Sequence, residues 1–87
     1  MLDKPTYHEK KLFEHIAEGD EEAFAVLFHL RTDSLYTYIL KITKSDIWAE
    51  ELVQDVWTQV WLNRRKLSTL EDPVSYLHRI ARNRSLD

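Results

Sequence analysis

Near the middle of the chain, carboxylate and amide side chains recur at helical spacing beside two tryptophans, a combination that could bind a basic partner. At about 100° per residue, the apolar positions of this segment form a separate arc that would face a core. Two large rings next to a carboxylate stripe are more than a core-facing helix needs. The alternative is that the tryptophans are core residues and the carboxylates a solvated face. The stripe is Glu50, Glu51, Gln54, Asp55 and Thr58, and its border is Trp57 and Trp61.

A second set of residues, in the last quarter of the chain, has the chemistry of nucleic-acid binding. On a helix Tyr76, Arg79 and Asn83 would cluster on one exposed face, with Arg82 nearby. A tyrosine ring can stack on a base, a guanidinium can donate to phosphates or base edges, and an amide can both donate and accept. The alternative is an ordinary basic helix surface. Three basic residues just upstream enlarge the patch, namely Arg64, Arg65 and Lys66.

The first two helices are predicted from local start and stop signals. Thr6 and Glu9 form a capping-box pattern, and Gly19 ends the helix that follows. Asp20 caps a second helix whose apolar positions keep one stripe as far as Ile42. The cluster at residues 32–34, Thr-Asp-Ser, could break or bend this helix because such side chains compete for backbone hydrogen bonds.

The third and fourth helices position the two candidate surfaces. Ser45 and Asp46 cap the third, which is predicted to be the central helix and to run to about Arg65. A connection over residues 66–71 follows. The pair Asp72-Pro73 then starts the fourth helix, in the usual order of N-cap and first-turn proline. The sequence therefore predicts an all-α fold, a compact bundle of about four helices.

Composition limits the possible classes of function. The 87 residues include no cysteine, so disulfides and thiolate metal sites are excluded, and a reducing cytoplasm is the expected location. The longest apolar run is far too short to span a bilayer, so we expect a soluble protein, monomeric by default. No metal or cofactor site is expected, since His8 and His15 lack a third ligand. No catalytic constellation or phosphate-binding glycine loop is present, which argues against an enzyme.

Charge is unevenly distributed along the chain. Residues 1–62 carry a net charge of −6, whereas residues 63–87 carry +3, within a total of −3. The acidic and basic parts are therefore expected to meet different partners.

The order of these pieces resembles region 2 of the sigma-70 family of transcription initiation factors, and most closely its extracytoplasmic-function (ECF) group. Three segments carry the resemblance: Gly-Asp-Glu-Glu-Ala-Phe at 19–24; Ala-Glu-Glu-Leu-Val-Gln-Asp-Val-Trp at 49–57, with Trp61; and Tyr-Leu-His-Arg-Ile-Ala-Arg-Asn at 76–83, with Asp87. It covers essentially the whole chain and implies that residues 1–87 form one region 2 domain. A complete member would continue into a second DNA-binding domain, region 4, which is absent here, so the resemblance implies a fragment or a partial sequence.

For the acidic surface, the resemblance implies docking on the clamp helices of the largest subunit of RNA polymerase. Glu51, Gln54 and Asp55 would meet basic side chains there. Trp57 and Trp61 would offer apolar contact or support the docking face, beside Thr58. An anti-sigma factor is expected to cover the same face.

For the basic part, the resemblance implies capture of the non-template strand of the minus-ten promoter element. A flipped base would enter a pocket lined by Leu67, Ser68 and Thr69, near Arg79 and Asn83. Residues that would hold phosphates are Arg64, Arg65, Lys66 and Arg82. Tyr76 stands where many relatives carry tryptophan, so strand separation would be weaker or differently tuned.

Two other hypotheses compete with a promoter-recognition domain that acts by binding alone. One is a helical adaptor whose acidic, Trp-bearing face binds a protein partner. The other is a stand-alone helix-turn-helix protein, which is disfavoured because the net charge of the chain opposes duplex binding without a partner.

Overall fold

Four α-helices and one 3₁₀ helix make up the protein, seen in a computed structural model that describes the backbone of residues 5–86 and the side chains of residues 9–86. No strand occurs in residues 5–86, which confirms the predicted all-α bundle. The elements are α1 (Pro5–Ala17), α2 (Glu21–Thr43), α3 (Asp46–Leu62), the 3₁₀ helix (Arg64–Thr69) and α4 (Pro73–Leu86).

The turn between α1 and α2 forms where the sequence predicted it. Gly19 has a φ of +95°, a conformation that side chains with a Cβ rarely adopt, and its N–H donates to the Ile16 carbonyl at 2.8 Å. Asp20 then caps α2, because its Oδ1 accepts from the N–H of Ala23 at 3.1 Å. This turn joins α1 directly to α2, and the two helices pack on each other.

The remaining helix starts also follow their predicted caps. Ser45 Oγ accepts from the N–H of Trp48 at 3.2 Å at the start of α3. Asp72 accepts from the backbone N–H of Ser75 at 3.2 Å and from its hydroxyl at 2.7 Å at the start of α4. These bonds hold the pKa of Asp72 below its usual range, the hydroxyl bond contributing most. Both caps satisfy N–H groups that helix geometry leaves free.

Four details differ from the sequence prediction. Thr6 lies inside α1 rather than before it, so it is not the N-cap. The 32–34 cluster does not break α2, which is continuous. α3 ends at Leu62, three residues before Arg65, because Asn63 donates to the Gln59 carbonyl through both its backbone N–H and its side chain. The connection after α3 begins at residue 63 rather than 66, and it contains the 3₁₀ helix.

The core lies around α2, whereas the sequence predicted that the third helix would be central. α2 packs on α1, α3 and α4, so it, rather than α3, is the central helix. α1 also packs on the 3₁₀ helix, where Leu67 is fully buried. The largest core side chains that are fully buried are Phe13, Ile16, Leu27, Leu35, Ile39, Val56, Val60, Leu67 and Leu77.

A charged pair ties α1 to α2. Glu9 is buried and receives a bidentate interaction from Arg31, with Nη2 donating to Oε1 at 2.6 Å and Nε donating to Oε2. The hydrogen bond and charge of Glu9 raise the pKa of Arg31 and keep the guanidinium protonated. The carboxylate that the sequence suggested as a capping group is therefore an interhelical ion-pair partner.

Residues 5–86 contain no helix that combines the length and apolar character required to cross a lipid bilayer.

Candidate functional site

The predicted carboxylate stripe lies on the exposed face of α3. All five of its members are exposed, and four of them line a shallow depression of about 430 Å³ together with Ile47. A helix face that concentrates carboxylates in a surface depression attracts a basic partner over a distance of about one Debye length. The residues lining the depression are Ile47, Glu50, Glu51, Gln54 and Asp55.

Asp55 already has a basic neighbour within the chain. Its Oδ2 lies 3.9 Å from Arg84 Nη1, and Arg84 Nη2 donates to Gln59 Oε1 at 3.0 Å. Both ends of the ion pair are about half exposed, so the pair is a weak one. A basic partner would compete with Arg84 for this carboxylate. Arg84 was not among the residues predicted from the sequence, since only the fold brings it to α3.

Trp57 is a core residue, as the alternative interpretation of the sequence had it. Its ring is 4% exposed and packs against Phe24 and Phe28 at centroid distances of 5.8 and 5.5 Å. Its indole Nε1 donates to Thr32 Oγ1 at 3.3 Å, so the one polar atom of the ring is satisfied by α2. In this position Trp57 supports the exposed face of α3 from beneath and contributes little area of its own to the surface.

An aromatic groove lies beside the carboxylate stripe, between α2 and α3. Its volume is about 300 Å³ and its lining is mostly apolar. Trp61 lines it and packs on Phe24 with ring centroids 5.0 Å apart. Phe24 and Phe28 belong to the apolar stripe of α2, and the sequence analysis did not predict that they would line a groove. The groove is lined by Phe24, Phe28, Trp57, Thr58, Trp61 and Leu62.

The basic turn, defined as residues 64–66, follows the groove directly. Arg64 lies over the indole of Trp61, with its Cζ 4.4 Å from the ring centroid, and its Nη1 donates to the Trp61 carbonyl at 2.9 Å. Lys66 Nζ lies 5.3 Å from the centroid of the Tyr76 ring. Both distances fall within the range of a cation–π interaction. The first and last cations of the basic turn are therefore each held over an aromatic face.

Tyr76 does not lie on an exposed face with Arg79 and Asn83, which corrects the sequence prediction. Tyr76 is only 9% exposed, whereas Arg79 and Asn83 are exposed. Tyr76 is buried together with Pro73, Leu77 and Ala81, so it belongs to the side of α4 that faces the core. Burial raises the pKa of the Tyr76 phenol, with Arg79 acting in the opposite direction, so the hydroxyl is neutral at physiological pH.

The residues predicted to line a base pocket are only partly at the surface. Leu67 is 1% exposed and belongs to the core, so its predicted position on a pocket wall is corrected. Ser68 and Thr69 are exposed, but their hydroxyls donate to the carbonyls of Arg65 and Lys66 at 3.3 and 2.7 Å. A surface depression of about 440 Å³ lies next to them and is lined by residues 62–66.

The other predicted nucleic-acid contacts are accessible. Arg65 and Lys66 on the 3₁₀ helix and Arg79, Arg82 and Asn83 on α4 are all exposed. Together with Arg64 they supply five cations and one amide from two elements, and these residues are called the basic surface below. Several cations at spaced positions can hold a phosphate backbone, because each can displace counterions.

Two exposed apolar residues were not singled out in the sequence. Ile47 and Trp48, in the first turn of α3, are 76% and 59% exposed. Trp48 lies about 20 Å along the helix from Trp61, at 1.5 Å per residue.

Among the residues with described side chains, no group of three or more His, Asp or Glu could hold a metal ion.

An all-α bundle with an acidic, aromatic-edged helix face next to a basic turn is the kind of architecture that macromolecule-binding domains use. The family model for Sigma-70 region 2 matches residues 27–87. The ECF RNA polymerase sigma factor SigK of Mycolicibacterium vanbaalenii is 30% identical over 77 residues, which are 87% of this chain and 39% of that protein. The protein of the same name from Mycobacterium sp. strain KMS is 27% identical over 77 residues, 87% of this chain and 40% of that protein.

The chain thus belongs to the sigma-70 region 2 family, as a region 2 domain of the ECF type. It spans about two fifths of the length of the curated relatives that it matches. The family match begins within α2, so α1 and the α1–α2 turn lie outside it. No solved structure matches the chain at the level at which these relatives do.

Proposed function

We propose that this chain is the promoter-recognition domain of a sigma factor. It docks through α3 on the clamp helices of the largest subunit of RNA polymerase, and it captures the non-template strand of the minus-ten element on its basic surface. It acts by binding and makes or breaks no covalent bond. The observation that carries the proposal is the continuity of the two surfaces, since Leu62 lines both the aromatic groove and the depression that contains the basic turn.

The polymerase side of the proposal is supported by the chemistry of α3. Glu51, Gln54 and Asp55 are exposed and lie in one depression, where basic side chains of a partner helix could reach them. The groove beside them, with Thr58 and Trp61 in its lining, offers an apolar anchor site. Charge steers the encounter of such surfaces, and buried aromatic contacts supply most of the affinity.

The DNA side is supported by the exposure of the basic residues on the 3₁₀ helix and α4. Arg64, Arg65, Lys66 and Arg82 would hold phosphates, and Arg79 and Asn83 would offer donors and an amide to a base. Tyr76 contributes to DNA binding indirectly, because its ring holds Lys66 in position through a cation–π interaction. The net charge of the chain disfavours independent binding to a duplex, so a single strand held beside the polymerase is the expected ligand.

Titration of the chain against the isolated clamp coiled coil tests the polymerase side. Asp55→Arg should weaken binding about tenfold or more at low salt, because it removes an attractive charge and adds a repulsive one. Glu14→Arg is the matched control, since Glu14 is an exposed carboxylate on α1, and this variant should bind like wild type. Equal weakening by both variants would show that only net charge matters and would refute docking on α3.

Substitution of Asn83 tests the DNA side. Asn83→Ala should change the preference among minus-ten sequences in transcription by the reconstituted holoenzyme. The reason is that the amide can both donate a hydrogen bond to a base edge and accept one from it. Binding to the clamp coiled coil should stay intact. Unchanged transcription from matched and mismatched promoters would contradict the assignment. A helical adaptor, the competing hypothesis, would tolerate changes at Arg79 and Asn83 without any effect on transcription.

A further inference from the structure

The 3₁₀ helix, which carries the basic turn, is held to the rest of the fold mainly by α1. Within residues 5–86, α1 is the one element that packs extensively on it, whereas α2, α3 and α4 approach its backbone only marginally. Leu67 is the one buried residue of the 3₁₀ helix and is 1% exposed. The position of the basic turn therefore depends on how the 3₁₀ helix packs against α1, with Leu67 as the side chain that it buries.

α1 uses one buried face for both of its neighbours. Glu9, Phe13 and Ile16 are spaced four and three residues apart, so they share one side of the helix, and each is at most 4% exposed. The elements on which α1 packs extensively are α2 and the 3₁₀ helix. The ion pair of Glu9 with Arg31 holds α1 on α2. α1 in turn supports the 3₁₀ helix.

The turn that follows α1 reaches the basic turn itself. Gly19 lies two residues beyond the end of α1, and a Cβ built on it would lie 4.0 Å from Arg64 Nε. A short 3₁₀ helix has poor hydrogen-bond geometry, so tertiary packing must keep it in place. Arg64 and Lys66 each lie over an aromatic ring. The backbone that carries these side chains is the part that α1 supports.

We propose that α1 is the positioning element for the basic turn, and that Ile16, its last buried residue, is a positioning residue for Arg65 and Lys66. The inference rests on the proposed function, since it takes nucleic-acid phosphates as the ligand of the basic turn. It adds that nucleic-acid affinity depends on α1, which lies outside the family match, whereas docking through α3 does not.

The two surfaces depend on α1 to different degrees because of the way the helices pack. α3 packs on α2 and α4 and makes no extensive contact with α1 in the described part of the chain. Loosening α1 should therefore leave the carboxylate stripe and the aromatic groove in place. The basic turn would lose its main support, and its side chains would have to be ordered when nucleic acid binds. That ordering lowers the affinity.

A matched pair of core substitutions separates positioning from a general loss of stability. Ile16→Ala and Ile39→Ala remove the same atoms from side chains that are both 0% exposed, one on α1 and the other on α2. Each 87-residue chain is titrated at low salt against a labelled pool of random single-stranded 12-mers, with fluorescence anisotropy as the readout. Ile16→Ala should weaken DNA binding about three- to tenfold, the cost of ordering one or two side chains. Ile39→Ala should bind DNA like wild type, and both variants should bind the isolated clamp coiled coil like wild type.

Hydrogen–deuterium exchange shows whether the effect is local. In Ile16→Ala the amides of residues 63–69 should exchange faster than in Ile39→Ala, while the amides of α3 exchange alike in both variants. Far-UV circular dichroism at the assay temperature shows whether each variant is folded. If an alanine variant is unfolded, Ile16→Val and Ile39→Val take the place of the pair, because this change removes a single methyl group. The expected loss of DNA affinity in Ile16→Val is about twofold.

Two results would overturn the inference. One is an equal loss of DNA affinity in the Ile16 and Ile39 variants, or no loss in either. The other is a loss of clamp binding in the Ile16 variant as large as its loss of DNA binding. Failure of the proposed function gives a different pattern, because wild type itself would then bind neither the clamp segment nor DNA in a salt-dependent way.

Discussion

Replacing Arg31 with methionine should destabilise the fold much more than replacing its partner Glu9 with glutamine. The side chain of Glu9 is 5% exposed and that of Arg31 is 28% exposed. Removal of the arginine leaves a buried carboxylate without a partner, whereas removal of the carboxylate charge leaves a guanidinium that can still reach water. The two members of the ion pair therefore differ in how much stability is lost when each is replaced.

The size of the effect follows from the burial of each partner. Breaking a buried pair by removing one member costs about 3–5 kcal/mol, and Arg31→Met should lie near 3 kcal/mol because the site is close to the surface. Glu9→Gln exchanges a charge-assisted hydrogen bond for an ordinary one, which costs about 1 kcal/mol. A domain of this size has a free energy of unfolding of about 4–13 kcal/mol, so the arginine variant loses a large share of it.

Urea unfolding followed by far-UV circular dichroism measures both costs, provided that the slope of the transition is unchanged. The double variant Glu9→Leu, Arg31→Met supplies the decisive comparison. It should recover most of the stability lost in Arg31→Met, since an apolar pair of similar volume carries no desolvation cost. Equal costs for the two single variants, or additive costs in the double variant, would refute the explanation from burial.

The remaining predictions concern the turns and the surface pair of α3. Gly19→Ala should lower the free energy of unfolding by about 1–3 kcal/mol in urea titrations, because an alanine is strained at a φ of +95°; an unchanged midpoint would contradict the turn geometry. Asp72→Ala should lower the Tm near pH 7. Since hydrogen bonding depresses the pKa of Asp72, the stabilisation is present above about pH 4, its unfolded pKa, and is lost as the pH falls through the folded value, so the two Tm curves should converge in acid. Arg84→Ala should bind the clamp coiled coil as tightly as wild type or up to about fivefold more tightly, because Asp55 is released from a weak pair; weaker binding would show that Arg84 itself contacts the partner.

The beginnings of α2, α3 and α4 and the turn at Gly19 could be predicted from the sequence. Asp20, Ser45 and Asp72 each cap a helix by accepting from an N–H three residues ahead. Gly19 ends α1 through bonds within the same turn. Such signals are local, so their residues are adjacent in the chain whatever the rest of the fold does. The exposed position of the carboxylate stripe on α3 follows equally from the helical period.

Contacts between residues more than twenty positions apart were decided by the tertiary structure alone. Helical periodicity placed Trp57 at the border of a face, but Thr32 of α2 satisfies its indole N–H and draws the ring inward. The pairing of Glu9 with Arg31 arises in the same way, across two helices. A period of 3.6 residues tells which side chains share a face, but not which other helix will cover that face.

The same limit of helical periodicity explains why the burial of Tyr76 was not predicted from the sequence. Tyr76 shares a helix face with Arg79 and Asn83 by spacing, yet the fold buries Tyr76 and places Lys66 of the 3₁₀ helix over its ring. The sequence by itself therefore determined the helices, their caps and the charge of each surface. The fold decided which aromatic rings are buried and which cations they hold, because burial depends on the packing of distant segments and not on local spacing.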